Sequence, residues 1–82
     1  MEKRIIEIIE EITEYKELKN QRQIDLLENN ILDSLGFIGL INALENEFNI
    51  EIQPTQIDPN TWRSVDRIIE LVKKIKKNEP IH

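Results

Sequence analysis

The feature that most restricts this chain is the spacing of its apolar residues near either end. Ile5, Ile8, Ile9, Ile12 and Tyr15 recur three and four positions apart, and Val65, Ile68, Ile69, Val72 and Ile75 do the same. That spacing places each set on one face of a helix, because about 3.6 residues complete a turn. An amphipathic helix must bury its apolar face against another element, so the two segments need a shared core. Only two glycines and three prolines interrupt the 82 residues, which favours a few long helices over many short strands. A chain of this length makes one domain, residues 1–82, with little room for a deep catalytic pocket beside its core.

The first helix is predicted from about Glu2 to Leu18, with Glu7, Glu10, Glu11, Glu14 and Glu17 largely on its solvated side. From Lys19 to Asp33 the periodicity fades into a long ordered loop, pinned by Ile24, Leu27, Ile31 and Leu32. Loops of about 15 residues are uncommon in compact domains and often functional. A second helix is predicted over Ser34 to Phe48, capped by Asp33 or Ser34 and stopped by Asn49. Ile50 and Ile52 alternate with polar residues, as in an extended stretch, and Pro54 opens a short helix to about Ile57 that Asp58-Pro59-Asn60 ends. Ser64 is the expected cap of the last helix, whose Lys73, Lys74, Lys76 and Lys77 suit the negative end of its dipole. The expected fold is all-α: three main helices plus one short one over about residues 3–77, with 78–82 a flexible tail.

Several functions are disfavoured. A net charge of −5 opposes general nucleic-acid binding, since phosphates repel an acidic surface. The absence of cysteine removes disulfides, thiolate metal sites and a cysteine nucleophile. No apolar run approaches the roughly 20 residues that span a bilayer, and the acid-broken start, Met1 to Glu7, is not a signal peptide. The expected location is the cytoplasm, without membrane insertion. Asp25 and Glu28 lack the glycine-containing loop of a calcium site, and no metal site is expected. The single histidine, His82, ends the chain, so a Ser-His-Asp arrangement would need that tail to fold back. The expectation is a protein that is not an enzyme.

The informative stretch is Asp33-Ser34-Leu35, between the long loop and the second helix. A serine there sits near unpaired backbone N–H groups and the positive end of a helix dipole, where a phosphodiester is favoured. The plain alternative is that the serine or the aspartate only caps the helix. On a helical wheel, Phe37, Leu40, Ile41, Leu44 and Phe48 share the core arc, whereas Leu35 falls nearly opposite and Ile38 lies on its shoulder. Two large apolar residues would then flank the serine, a surface a partner enzyme can grip, unless loop residues such as Ile24 or Leu27 cover them. Trp62 is expected to pack between the short helix and the last one.

Leu27, Ile31-Leu32-Asp33-Ser34-Leu35, the helix ending Leu44-Glu45-Asn46-Glu47-Phe48, then Ile50, Ile52 and Ser64-Val65 leading into Ile68-Ile69 resemble the acyl carrier proteins over about residues 3–77. The resemblance implies an acyl-carrier-like four-helix bundle, a monomer, bearing 4'-phosphopantetheine on Ser34 between Asp33 and Leu35. It implies docking of partners at Leu35, Ile38, Asn42 and Glu45. The partners would be a phosphopantetheinyl transferase, an adenylating or acyl-loading enzyme, and a downstream acyl transferase or synthase. Carriers of fatty acid synthesis usually bear acids just after the serine; here Gly36, Phe37, Ile38 and Gly39 follow, and no acid appears before Glu45. The neutral helix start and Trp62 look more like the D-alanyl carrier proteins or other aminoacyl and specialised carriers. A fatty acid carrier is the alternative within the family, and an unmodified helical adaptor the alternative outside it.

Overall fold

The computed structural model describes residues 1–77, which form three α-helices joined by irregular segments and short 3-10 turns, with no strand among them. The expected tail 78–82, with His82, lies outside the described residues. Helix α1 spans Glu2–Thr13, α2 spans Ser34–Phe48 and α3 spans Val65–Lys77. Ile5, Ile8 and Ile9 of α1, Leu40, Ile41 and Leu44 of α2, and Val65, Ile68, Ile69 and Val72 of α3 are buried in one core. Each side chain removed from water there contributes about 1.5–3 kcal/mol.

Helix α1 stops earlier than its periodicity predicts. Thr13 turns its hydroxyl back onto the Ile9 carbonyl at 2.7 Å, and Glu14 adopts a left-handed conformation, φ 60°, that closes the helix. The chain then makes a 3-10 turn, Leu18–Asn20, which buries Leu18 completely. Tyr15 leaves the helix, half-buried, and donates its hydroxyl to Gln21 Oε1 at 2.8 Å.

The long loop is ordered, but Leu26 and Leu32 are its deeply buried anchors, while Ile24, Leu27 and Ile31 are only partly covered. Leu26 is drawn in by its backbone: its N–H donates to the Arg63 carbonyl at 2.6 Å, and its carbonyl accepts from Ile31 and Leu32. Such bonds are invisible to a count of apolar residues. Asp25 shapes the turn, its Oδ1 accepting from the N–H groups of Leu27 (3.0 Å) and Glu28 (2.8 Å), its Oδ2 pairing with Arg63 Nη1 at 3.0 Å.

Asn49 ends α2 in a left-handed conformation, φ 53°. Ile50 and Ile52 are buried in the extended stretch that follows. The expected short helix is present as a 3-10 turn, Pro54–Gln56, but Asp58-Pro59-Asn60, expected only to end it, also starts a second turn, Pro59–Arg63, with Asp58 as its cap; each turn is opened by a proline whose missing N–H is not needed there. Ser64 caps α3, accepting the Arg67 N–H on Oγ at 3.3 Å. Arg22 joins the starts of two helices, its guanidinium reaching Asp66 at 2.6 Å and Glu2 at 2.9 Å, and Lys73 pairs with the same Glu2.

Candidate functional site at the start of helix α2

Helix α2 begins where the loop turn ends, and its first residues divide the work of starting a helix. Asp33 is the N-cap: its Oδ1 accepts the Gly36 N–H at 2.7 Å while its carbonyl accepts the Phe37 N–H at 2.8 Å. Ser34 is therefore the first helical residue and not the cap. It is exposed, and its hydroxyl has no hydrogen-bond partner among the described residues. The plain reading in which the serine serves only to cap is thereby removed.

Two glycines, which weaken a helix by roughly 1 kcal/mol each relative to alanine, follow within one turn. At Gly36 the structure gives a reason. A Cβ there would stand 3.1 Å from Asp33 Oδ1, 3.3 Å from Leu32 Cδ1 and 3.7 Å from Ile12 Cγ2. The bare backbone lets the capping carboxylate and α1 approach together. At Gly39 a Cβ would meet only Ile12 Cδ1, at 3.5 Å, an ordinary contact.

Beside Ser34 the surface is apolar. Leu35 is 82% exposed and Ile38 58%, so neither Ile24 nor Leu27 hides them. Asn42 is exposed one turn further along. Glu45 is half-buried and its Oε2 accepts the Ile52 N–H at 2.8 Å, pinning the extended stretch to α2.

A contact that helical periodicity does not announce supports the site from below. Trp62 is buried and meets Phe37 of α2 edge to face, centroids 5.1 Å apart and planes at 82°. The sequence reading places Trp62 between the short helix and the last one, without this contact to α2. Its turn is also held to the loop by the Arg63–Asp25 pair and the Leu26–Arg63 backbone bond. The loop before Ser34 and the helix after it thus rest on one 3-10 turn. The only signals were that Phe37 lies on the core arc and that Trp62 is the one tryptophan.

The resulting class is a small helical bundle that offers a free serine hydroxyl at a helix start, with an apolar ledge beside it. Among the described residues no group of three or more histidines, cysteines or acids is placed to hold a metal. Residues 3–72 match the phosphopantetheine attachment site family, and the chain belongs to it. It is 35% identical over 79 residues to the D-alanyl carrier protein of Lactococcus lactis subsp. lactis (strain IL1403), 96% of this chain and 99% of that protein. It is 29% identical to the D-alanyl carrier protein of Bacillus licheniformis over 72 residues, 88% of this chain and 92% of that one. The D-alanyl carrier protein of Bacillus subtilis (strain 168) is 26% identical over the same shares. The protein is a phosphopantetheine carrier and not itself an enzyme.

The residues present fit the prosthetic group. Ser34 Oγ is exposed and without a hydrogen-bond partner among the described residues. Asp33 takes the Gly36 N–H, so the N–H groups of Ser34 and Leu35 are left without an intrahelical acceptor at the positive end of the helix dipole, which suits an anionic group. The arm supplies the thiol that this cysteine-free chain lacks, on which a cargo is held as a thioester.

Proposed function

We propose that Ser34 carries the phosphopantetheine arm and that the cargo is D-alanine or a similar aminoacyl group. The observation that carries this is the uncommitted Ser34 hydroxyl beside an Asp33 that already caps the helix. In attachment, Ser34 Oγ gives its proton to a base of the transferase and bonds to the phosphorus of coenzyme A that bears pantetheine; the bond from that phosphorus to the bridging oxygen breaks, and adenosine 3',5'-bisphosphate leaves with its electron pair. Asp33 holds the first turn fixed meanwhile, so the hydroxyl is presented from a rigid element. The relatives named as D-alanyl carrier proteins, matched along nearly their whole length, support the aminoacyl cargo.

The partners are a phosphopantetheinyl transferase, an adenylating enzyme that activates the amino acid, and a downstream acyl transferase that removes it. The carrier works as a monomer in the cytoplasm, where coenzyme A and ATP are at hand; among the described residues no helix is long and apolar enough to cross a membrane. Tethering raises the effective concentration of the cargo at each partner.

The test is intact mass after incubation with coenzyme A and a promiscuous phosphopantetheinyl transferase, then with ATP, D-alanine and a D-alanine-adenylating ligase. One phosphopantetheine followed by one alanyl group, both absent from Ser34→Ala, is the expected result. Addition to Ser34→Ala overturns the assignment of the serine, and arm attachment without alanylation overturns the cargo.

A further inference from the structure

Two neighbouring residues, Trp62 and Arg63, hold the chain on both sides of Ser34. After the serine, the ring of Phe37 lies against Trp62, centroids 5.1 Å apart. Before it, the Arg63 carbonyl accepts the Leu26 N–H at 2.6 Å, and the Leu26 carbonyl accepts the N–H groups of Ile31 at 2.9 Å and Leu32 at 3.0 Å. Leu32 is buried and precedes Asp33, the N-cap of α2. A path of backbone bonds thus runs from Arg63 almost to the serine. The Arg63 side chain adds a further hold. Its Nε donates to Asn60 Oδ1 at 2.9 Å, inside its own turn, and its Nη1 donates to Asp25 Oδ2 at 3.0 Å. Asp25 Oδ1 meanwhile accepts the Leu27 and Glu28 N–H groups. One guanidinium therefore joins the turn that carries Trp62 to the loop that leads into Ser34.

We propose that Arg63 is a positioning residue for arm attachment, locking the loop before Ser34 to the Trp62 turn so that the serine hydroxyl is presented to the transferase in one place. This role rests on reading Ser34 as the attachment point. The pair is partly exposed, Arg63 by 44% and Asp25 by 29% of their side chains, and solvent screens a pair so placed, so it contributes little to global stability. What it fixes is local geometry. A nucleophile displaced by about 1 Å from its line of attack can react 10²-fold more slowly. Arg63 acts on this through the loop and not on the reacting atoms.

Loss of positioning and loss of folding leave opposite kinetic marks. With the surface around Ser34 unchanged, a loosened loop still binds the transferase but reacts slowly once bound, so kcat falls and KM stays. A partly unfolded carrier is merely a more dilute substrate, so the apparent KM rises and kcat stays.

The experiment follows arm attachment from coenzyme A by the promiscuous transferase, read as intact mass, well below the melting transition. Arg63→Gln and Asp25→Asn each break the pair, the second keeping an oxygen for the turn. Arg4→Gln is the control: it breaks a pair of similar exposure, Arg4–Glu47 at 3.1 Å, that joins α1 to α2 away from the loop. The expected result is a fall in kcat of about tenfold in Arg63→Gln and in Asp25→Asn, with KM within about threefold of native. The double variant should be no slower than the slower single one, since both remove one bond. Arg63→Lys, which keeps the charge, should recover kcat to within about threefold of native, and Arg4→Gln should match native. Amide exchange of the unmodified chain gives a readout without the transferase. The N–H groups of Leu26, Ile31 and Leu32 should exchange at least about tenfold faster in Arg63→Gln, while that of Ile9 in α1 is unchanged.

Circular dichroism melting checks folding, and if Arg63→Gln does not fold, Asp25→Asn carries the same expectations. Native kcat in the variants overturns the proposal. So does a raised KM at native kcat, an equal loss in Arg4→Gln, no recovery in Arg63→Lys, or loop amides that exchange as in the native chain. No arm on the native chain, or an arm on Ser34→Ala, removes the reading of Ser34 and this proposal with it. An arm on the native chain, with variants equally fast, removes this proposal alone.

Discussion

Exchanging the two residues at the start of α2 for alanine separates stability from function. In Asp33→Ala the helix loses a 2.7 Å charge-assisted bond to the Gly36 N–H and a negative charge at the positive end of its dipole. Loss of such a cap costs about 1 kcal/mol, within a range of 0.5–2. For a domain of this size 1 kcal/mol lowers the melting temperature by roughly 4–8 °C. In Ser34→Ala nothing is lost that the fold uses, since the hydroxyl is exposed and without a partner among the described residues. Alanine is also the better helix former, so stability should stay within about 0.5 kcal/mol of native. Modification should show the opposite order: Ser34→Ala accepts no arm, while Asp33→Ala, measured below its lowered transition, still accepts one. The assays are thermal melting followed by circular dichroism, and intact mass after the transferase reaction. A Ser34→Ala protein melting several degrees low, beside an unaffected Asp33→Ala, would show the serine to be the cap and sink the argument that its hydroxyl is free.

Three further outcomes follow from local geometry. Gly39→Ala should stabilise by up to about 1 kcal/mol, since its Cβ meets only Ile12 Cδ1 at 3.5 Å, whereas Gly36→Ala should show no gain because its Cβ crowds the capping carboxylate at 3.1 Å; equal gains in urea midpoint would refute the close-approach reading of Gly36. Glu14→Gly should raise stability by roughly 0.5–1 kcal/mol, because φ 60° disfavours a side chain and suits glycine; a lower urea midpoint would count against that left-handed cap. Glu2 is held below the usual carboxylate range first by the hydrogen bond from Lys73 and then by that from Arg22, and Asp25 first by the Glu28 N–H. A carboxyl depressed in the folded state lends stability above its unfolded pKa, near 4, and loses it as pH falls through the lower folded value. The urea midpoint should therefore fall in acid, and by less in Arg22→Gln; an unchanged acid dependence in that variant would mean that Arg22 does not hold Glu2.

What was legible in the sequence is what periodicity and local chemistry encode. The aliphatic spacing of α1 and α3 names most of their core residues, and Asn49 and Ser64 mark the boundaries expected of them. The wheel over α2 separates Leu40, Ile41 and Leu44, which are buried, from Leu35 and Ile38, which are not. Where apolar spacing continues past a backbone event, it misleads. Tyr15 and Leu18 keep the rhythm of α1, but the left-handed Glu14 has already turned the chain. In the loop the deep anchor is Leu26, chosen by its backbone bonds to Arg63, Ile31 and Leu32, which leave no trace in hydropathy. The edge contact of Trp62 on Phe37 joins residues 25 positions apart, beyond the reach of any local pattern.

The same limit explains why the site had two readings before its geometry was known. Asp33 and Ser34 are both good capping residues, and propensity cannot say which of two adjacent side chains takes the bond. The backbone decides: Asp33 is extended, at φ −97° and ψ −177°, and so lies outside the helix, while Ser34 is its first residue. Once the aspartate takes the Gly36 N–H, the serine has no structural duty left. Charge is disposed in the same way around it. Asp25 serves its turn and Arg63, Glu45 the Ile52 N–H, and Glu47 Arg4. Beside these pairings, the face next to the serine keeps a hydroxyl without a partner among the described residues, two exposed apolar side chains and two exposed amides. The groups that hold the helix start, Asp33 and the Gly36 N–H, are distinct from the exposed Ser34 hydroxyl, so a change at that hydroxyl leaves the cap intact.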